Sequence, residues 1–112
     1  MMAAVQAKPV TDAQPETLDE KFQRLAKTWQ SAVAHLSSST KRENHPAYKE
    51  IIALGPAVVP LLLRDMQANH RHWFTALTAI TGADPVLEED AGKILKMIES
   101  WLTWGKDKGY RW

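Results

Sequence analysis

Leu18, Phe22, Leu25, Trp29, Val33 and Leu36 recur every three or four residues near the start of the chain, with polar positions between them. Successive side chains on a helix are about 100° apart, so this spacing predicts one narrow apolar stripe. Thr17 and Glu20 stand just ahead of it as a capping box. The hydroxyl accepts from an orphan amide while the carboxylate reaches back to the cap. Residues 1–15 are small, polar and punctuated by proline, without periodicity, and are expected to form a flexible tail. Downstream, "SSSTKREN" predicts the end of the helix, because Ser, Thr and Asn side chains compete for backbone hydrogen bonds.

Four further helices follow from pattern and punctuation. "HPAYKEIIALG" predicts a short one with Pro46 in its first turn, Tyr48, Ile51 and Ile52 on its buried face, and Gly55 as a left-handed stop. Pro56 then opens a third helix over 57–68, with Pro60 at about its fifth position. Val58, Val59, Leu61, Leu62, Leu63 and Met66 cover more than half of its wheel, wider than the stripe of a surface helix, so it is expected to pack on more than one side. Asp65 falls inside that apolar arc, between Leu61 and Val58. It either has partners or lies where the helix leaves the core, since an unpaired buried carboxylate costs several kcal/mol. The candidate partners are Trp73, His70, His72 and the amides that open the next helix.

"ANHRH" is a polar break before a fourth helix, with Trp73, Leu77 and Ile80 on one face and Gly82 at its stop. The last helix is expected over 88–104, opened by Glu88, Glu89 and Asp90 at the positive end of its dipole. Ile94, Leu95, Ile98, Trp101 and Leu102 are expected to face inward, and Gly105 to end the helix. No stretch alternates apolar and polar residues long enough for a strand. The expected architecture is an all-α bundle of about five helices over 16–105, followed by a short tail, 106–112.

The phrase "IIALGPAVVPLLLRDM" resembles the centre of a HEAT-type repeat, in which a helical hairpin turns through a Gly-rich bend into a helix with an early proline. The similarity covers about residues 46–104 and implies two antiparallel hairpins, 46–54 with 57–68 and 72–81 with 88–104, beside the N-terminal helix. The second pair departs from the pattern, with a longer bend and nothing in place of Pro60. The wider signature, "HPAYKEIIALGPAVVPLL" with "HWFTALTAITGADPV" and "WLTWG", also resembles small uncharacterised bacterial proteins of mobile or toxin-linked operons. HEAT-like proteins are generally binding scaffolds. The resemblances therefore imply a non-catalytic protein-binding module: an antitoxin, immunity or accessory protein that acts by steric occlusion.

Composition narrows the alternatives. The 112 residues suit one domain, and a formal charge of +1 gives no long-range pull toward nucleic acid or anionic lipid. A nucleic-acid-binding regulator remains the alternative if Lys41, Arg42, Arg64 and Arg71 cluster in the fold. With no cysteine, no leader pattern and no apolar run near the ~20 residues of a membrane span, the expected compartment is the cytoplasm. Neither a phosphate loop nor a nucleophile–base pattern is present, so no enzyme is expected. His70 and His72, two residues apart without further ligands, do not complete a metal set, and no cofactor is expected.

Five tryptophans are many for this length. Trp29, Trp73 and Trp101 lie within their stripes and read as core. Trp104, at the edge of its stripe, and the terminal Trp112 serve equally as packing or as interface anchors. With Tyr110 and Arg111 they form a candidate partner-binding surface, to which Arg71 and His72 are added from the polar break.

Overall fold

A computed structural model describes residues 16–36 and 39–112; the expected tail over 1–15 lies outside the described residues. The described residues contain six α-helices and no strand. These are α1 (Leu18–Val33), α2 (Ser39–Glu43), α3 (Pro46–Ala53), α4 (Val59–Asn69), α5 (Phe74–Thr81) and α6 (Ile94–Asp107). An all-α bundle is what the apolar periodicity requires, because each helix has one face that must leave water.

The signals that start and stop the first helices act as their chemistry dictates. In the capping box, Thr17 Oγ1 accepts from the Glu20 amide at 3.1 Å, and Glu20 Oε1 accepts from the Thr17 amide at 2.9 Å. His45 caps α3, its Nδ1 accepting from the Ala47 amide at 3.0 Å, and Pro46 occupies the first turn. Gly55 has φ +78°, the left-handed conformation that a residue without Cβ adopts freely. Gly55–Val58 forms a 3-10 turn, and α4 begins only at Val59. The sequence predicts an earlier start. The delay has a cause in Pro60, which stands in the first positions of α4, where no amide hydrogen is needed. Between Pro46–Ala53 and Gly55–Asn69 the chain bends by 106°.

The polar segment after α1 ends that helix as expected and also contains one of its own: Ser39–Glu43 forms the short helix α2, whose Arg42 carbonyl accepts from Trp29 Nε1 at 2.7 Å. Three expectations need correction. Glu88–Asp90 is a separate 3-10 turn, and Gly92, at φ +85°, breaks the chain before α6 starts at Ile94. The acidic trio therefore does not sit in the first turn of α6. Leu95 is 66% exposed. On a helix that starts at Ile94, the centre of the inner face runs through Ile94, Ile98, Trp101 and Gly105, and Leu95 lies well to one side. Gly105 does not stop α6, which continues to Asp107; it is buried where α4 and the C-terminal residues close on the helix.

The helices pack in a layered order. α3 lies chiefly against α1 and α5, while α4 lies against α6. Val58, Val59, Leu62, Leu63 and Met66 are wholly buried, so α4 and the turn before it are covered on more than one side, as the width of their apolar arc predicts. Trp73 is the hub of the aromatic core, with ring centroids 5.0 Å from Trp29, 5.5 Å from Tyr48 and 5.6 Å from Phe22. Burying a side chain of that size contributes roughly 4–6 kcal/mol before entropy. Tyr48, fully buried, accepts from the Ala76 amide at 3.0 Å and so caps α5 from another helix. Burial holds its phenol well above the ordinary pKa, so the hydroxyl stays neutral.

Candidate functional site

Asp65 organises the polar break after α4. It is 4% exposed and accepts three hydrogen bonds: from Asn69 Nδ2 at 2.7 Å and Arg71 Nη1 at 3.0 Å on Oδ1, and from Trp73 Nε1 at 2.6 Å on Oδ2. The partnered reading of this residue is correct, with Trp73 among its donors. Asn69 and Arg71, rather than the two histidines, complete the set. The Asp65–Asn69 pair is an i, i+4 contact on α4, legible in the spacing. Arg71 reaches back because His70 takes the left-handed conformation, φ 56°, and reverses the chain after α4. Its amide donates to the Met66 carbonyl at 2.9 Å and closes the helix.

That reversal shapes a groove of about 400 Å³ between the end of α1, Arg42 of α2 and the segment 69–72. Arg42, His70, Arg71 and His72 line it together with Gln30 and Asn69, and no carboxylate among the described residues does. Arg71 is held from behind by Asp65, and its side chain is still 27% exposed. The His72 pKa is lowered, first by partial loss of water and then by the positive charge of Arg42, so the imidazole is neutral at pH 7. Its ring lies 5.6 Å from that of Phe74. Among the described residues no group of three or more His, Asp or Glu side chains is arranged to hold a metal ion.

The remaining sequence-predicted residues form a second cluster at the far end of α6. The Trp104 ring stacks on Tyr110 at 5.6 Å and meets the Trp101 ring edge-on at 5.2 Å. Trp112 folds back over Gly105, where it lies 3.0 Å from the position of a Cβ, and its Nε1 donates to Gln67 Oε1 of α4 at 2.7 Å. The Tyr110 amide donates to the Gly105 carbonyl at 2.9 Å, which fixes this return of the chain. Trp104, Tyr110 and Trp112 are each half-buried, whereas Lys106, Lys108 and Arg111 are exposed. Residues 106–112 are therefore continuous with the bundle.

The six candidate residues thus divide between two places: Trp104, Tyr110, Arg111 and Trp112 at one, Arg71 and His72 at the other. Sequence reasoning did not place Gln67 at the first or Gln30 and Asn69 at the second. Gln67 comes from a helix distant in sequence, and nothing in its own spacing marks it. Compared with known proteins, the chain matches no family model, no curated protein and no solved structure.

Proposed function

We propose that the chain is a small non-catalytic module that binds another protein through the C-terminal end of α6. The observation that carries this reading is the aromatic platform of Trp104 and Tyr110, stacked and half-exposed beside exposed Lys106, Lys108 and Arg111. Aromatic and arginine side chains are enriched among residues that dominate binding energy. Rings already fixed by Trp101, Gly105 and Gln67 lose little conformational freedom when a partner docks, which favours affinity.

The order of packing supports the HEAT-like part of the reading. First helix lies against first helix (α3 on α5) and second against second (α4 on α6), the order in which repeat hairpins stack, although α3 and α4 meet through a 106° bend and not as an antiparallel pair. The similarity to small proteins of toxin-linked operons gives the reading its concrete form: an antitoxin, immunity or accessory protein of the bacterial cytoplasm that covers its partner's working surface. No single described helix is long and apolar enough to cross a membrane; one pair, Pro46–Ala53 with Gly55–Asn69, is so only when taken together across its 106° bend, and its apolar faces are largely within the core.

Co-expression with the products of flanking genes tests the proposal. A complex that survives nuclease and weakens tenfold or more in Trp104→Ala or Arg111→Gln, with helical circular dichroism retained, is the expected result. A salt-dependent shift of DNA or RNA, with no protein complex, overturns it in favour of a nucleic-acid-binding regulator.

A further inference from the structure

The groove beside α1 has a chemistry that the aromatic platform lacks. Its lining brings Arg42, Arg71, His70 and His72 together with no carboxylate among the described residues that line it, on a chain whose charges otherwise nearly cancel. The nearest acid of α2, Glu43, lines the adjoining cleft and accepts from Thr75 Oγ1 at 3.0 Å. Asp65 is enclosed behind Arg71 by three donors. A guanidinium anchored through one nitrogen keeps its remaining N–H groups for a second acceptor, already oriented. Arg42 supplies a second positive charge, and its backbone is pinned to α1 through Trp29.

We propose that this groove seats an acidic segment of the partner protein, whose carboxylates are engaged by Arg42 and Arg71 with His72 as a hydrogen-bonding neighbour. The volume of about 400 Å³ lies in the range of clefts that enclose ligand groups. A nucleic acid fits less well. Single strands bind on exposed aromatic rings, and the ring of this groove, Trp29, is 5% exposed with its N–H already bonded to the Arg42 carbonyl. Two arginines also neutralise few phosphates, too few for firm attachment to a polyanion. Carboxylates, in contrast, match a guanidinium pair one group at a time.

The proposal rests on the reading of the chain as a protein-binding module, and the following test reports on the groove alone. A short peptide alternating glutamate with alanine is titrated into the isotope-labelled full chain, beside its glutamine counterpart and a short oligothymidylate. The glutamate peptide is expected to shift the amide signals of Arg42 and residues 69–72, while the glutamine peptide leaves them in place. Arg42→Gln should weaken the glutamate peptide by roughly tenfold or more, as loss of a charge-assisted contact does. Lys49→Gln, exposed on α3 and outside the groove lining, should leave it unchanged. Arg71→Gln also strips buried Asp65 of a donor, so Arg42→Gln, which spares that network, is the deciding variant. Equal binding of the two peptides, no binding at millimolar peptide, or full affinity in Arg42→Gln overturns the proposal. Tighter binding of oligothymidylate than of the peptide overturns it too. Such a failure, beside a partner complex that still depends on Trp104, leaves the module reading intact.

Discussion

At the scale of single residues, Asp65 shows how a charge is kept inside an apolar arc. Both of its oxygens accept, one from two donors and the other from the Trp73 indole. Asp65→Ala leaves a buried indole N–H and a half-buried guanidinium without their acceptor, and should lower stability by about 3 kcal/mol in denaturant titration. Asp65→Asn should lose nearly as much, because its NH2 group must face one of those donors whichever way the amide is turned. His72 gives a second check at this scale. Its NMR titration midpoint should fall below the ordinary value of 6.5, and Arg42→Gln should raise it only in part, since loss of water is the larger cause. The fold favours the neutral ring, so this residue's contribution to stability is complete above pH 6.5 and declines as pH falls from there through the lowered midpoint. A midpoint above 6.5 would contradict both statements.

At the scale of elements, what was legible in the sequence followed local chemistry. The capping box, Pro46, Gly55 and Gly82 act within a few residues of themselves, and each does what its side chain or its lack of one dictates. Gly55→Val should lose about 1 kcal/mol or more from backbone strain alone, because a Cβ there would meet nothing within 4 Å. The start of α6 is marked locally by the left-handed Gly92, whereas the role of Gly105 was not legible, because it depends on partners distant in the chain. A glycine near a helix end reads as a stop, yet Gly105 is kept small by α4: a Cβ would stand 2.6 Å from Leu63 Cδ1. Gly105→Val gains helix propensity but forces a fully buried leucine and the Trp112 ring apart. A net loss of about 2 kcal/mol is expected from the overpacking. A melting temperature equal to that of the parent would show that Leu63 and Trp112 yield freely.

At the scale of the whole molecule, an all-α bundle follows from periodicity, but the closure of its C-terminal end does not. Composition marks "KDKGYRW" as polar and terminal, and the boundary at 105 expresses that local view. The rings reverse it. Tyr110 stacks on Trp104, and Trp112 covers Gly105 and donates to Gln67, so the last residues bridge α6 to α4 across the bundle. Removing 109–112 withdraws two half-buried aromatic side chains and leaves α6 intact through Asp107. With apolar burial worth about 25 cal/mol per Å², the loss should be roughly 2 kcal/mol, or about 9 °C in melting temperature for a domain of this size. Far-UV circular dichroism should remain helical, since none of the removed residues is in a helix. This outcome also bears on how the surface is probed. A truncation that destabilises the end of α6 would weaken partner binding for two reasons at once, so Arg111→Gln, whose side chain is exposed, is the substitution that isolates contact from support. An unchanged melting temperature after the truncation would mean that the returning residues add nothing to the fold and that their rings are held for a partner alone.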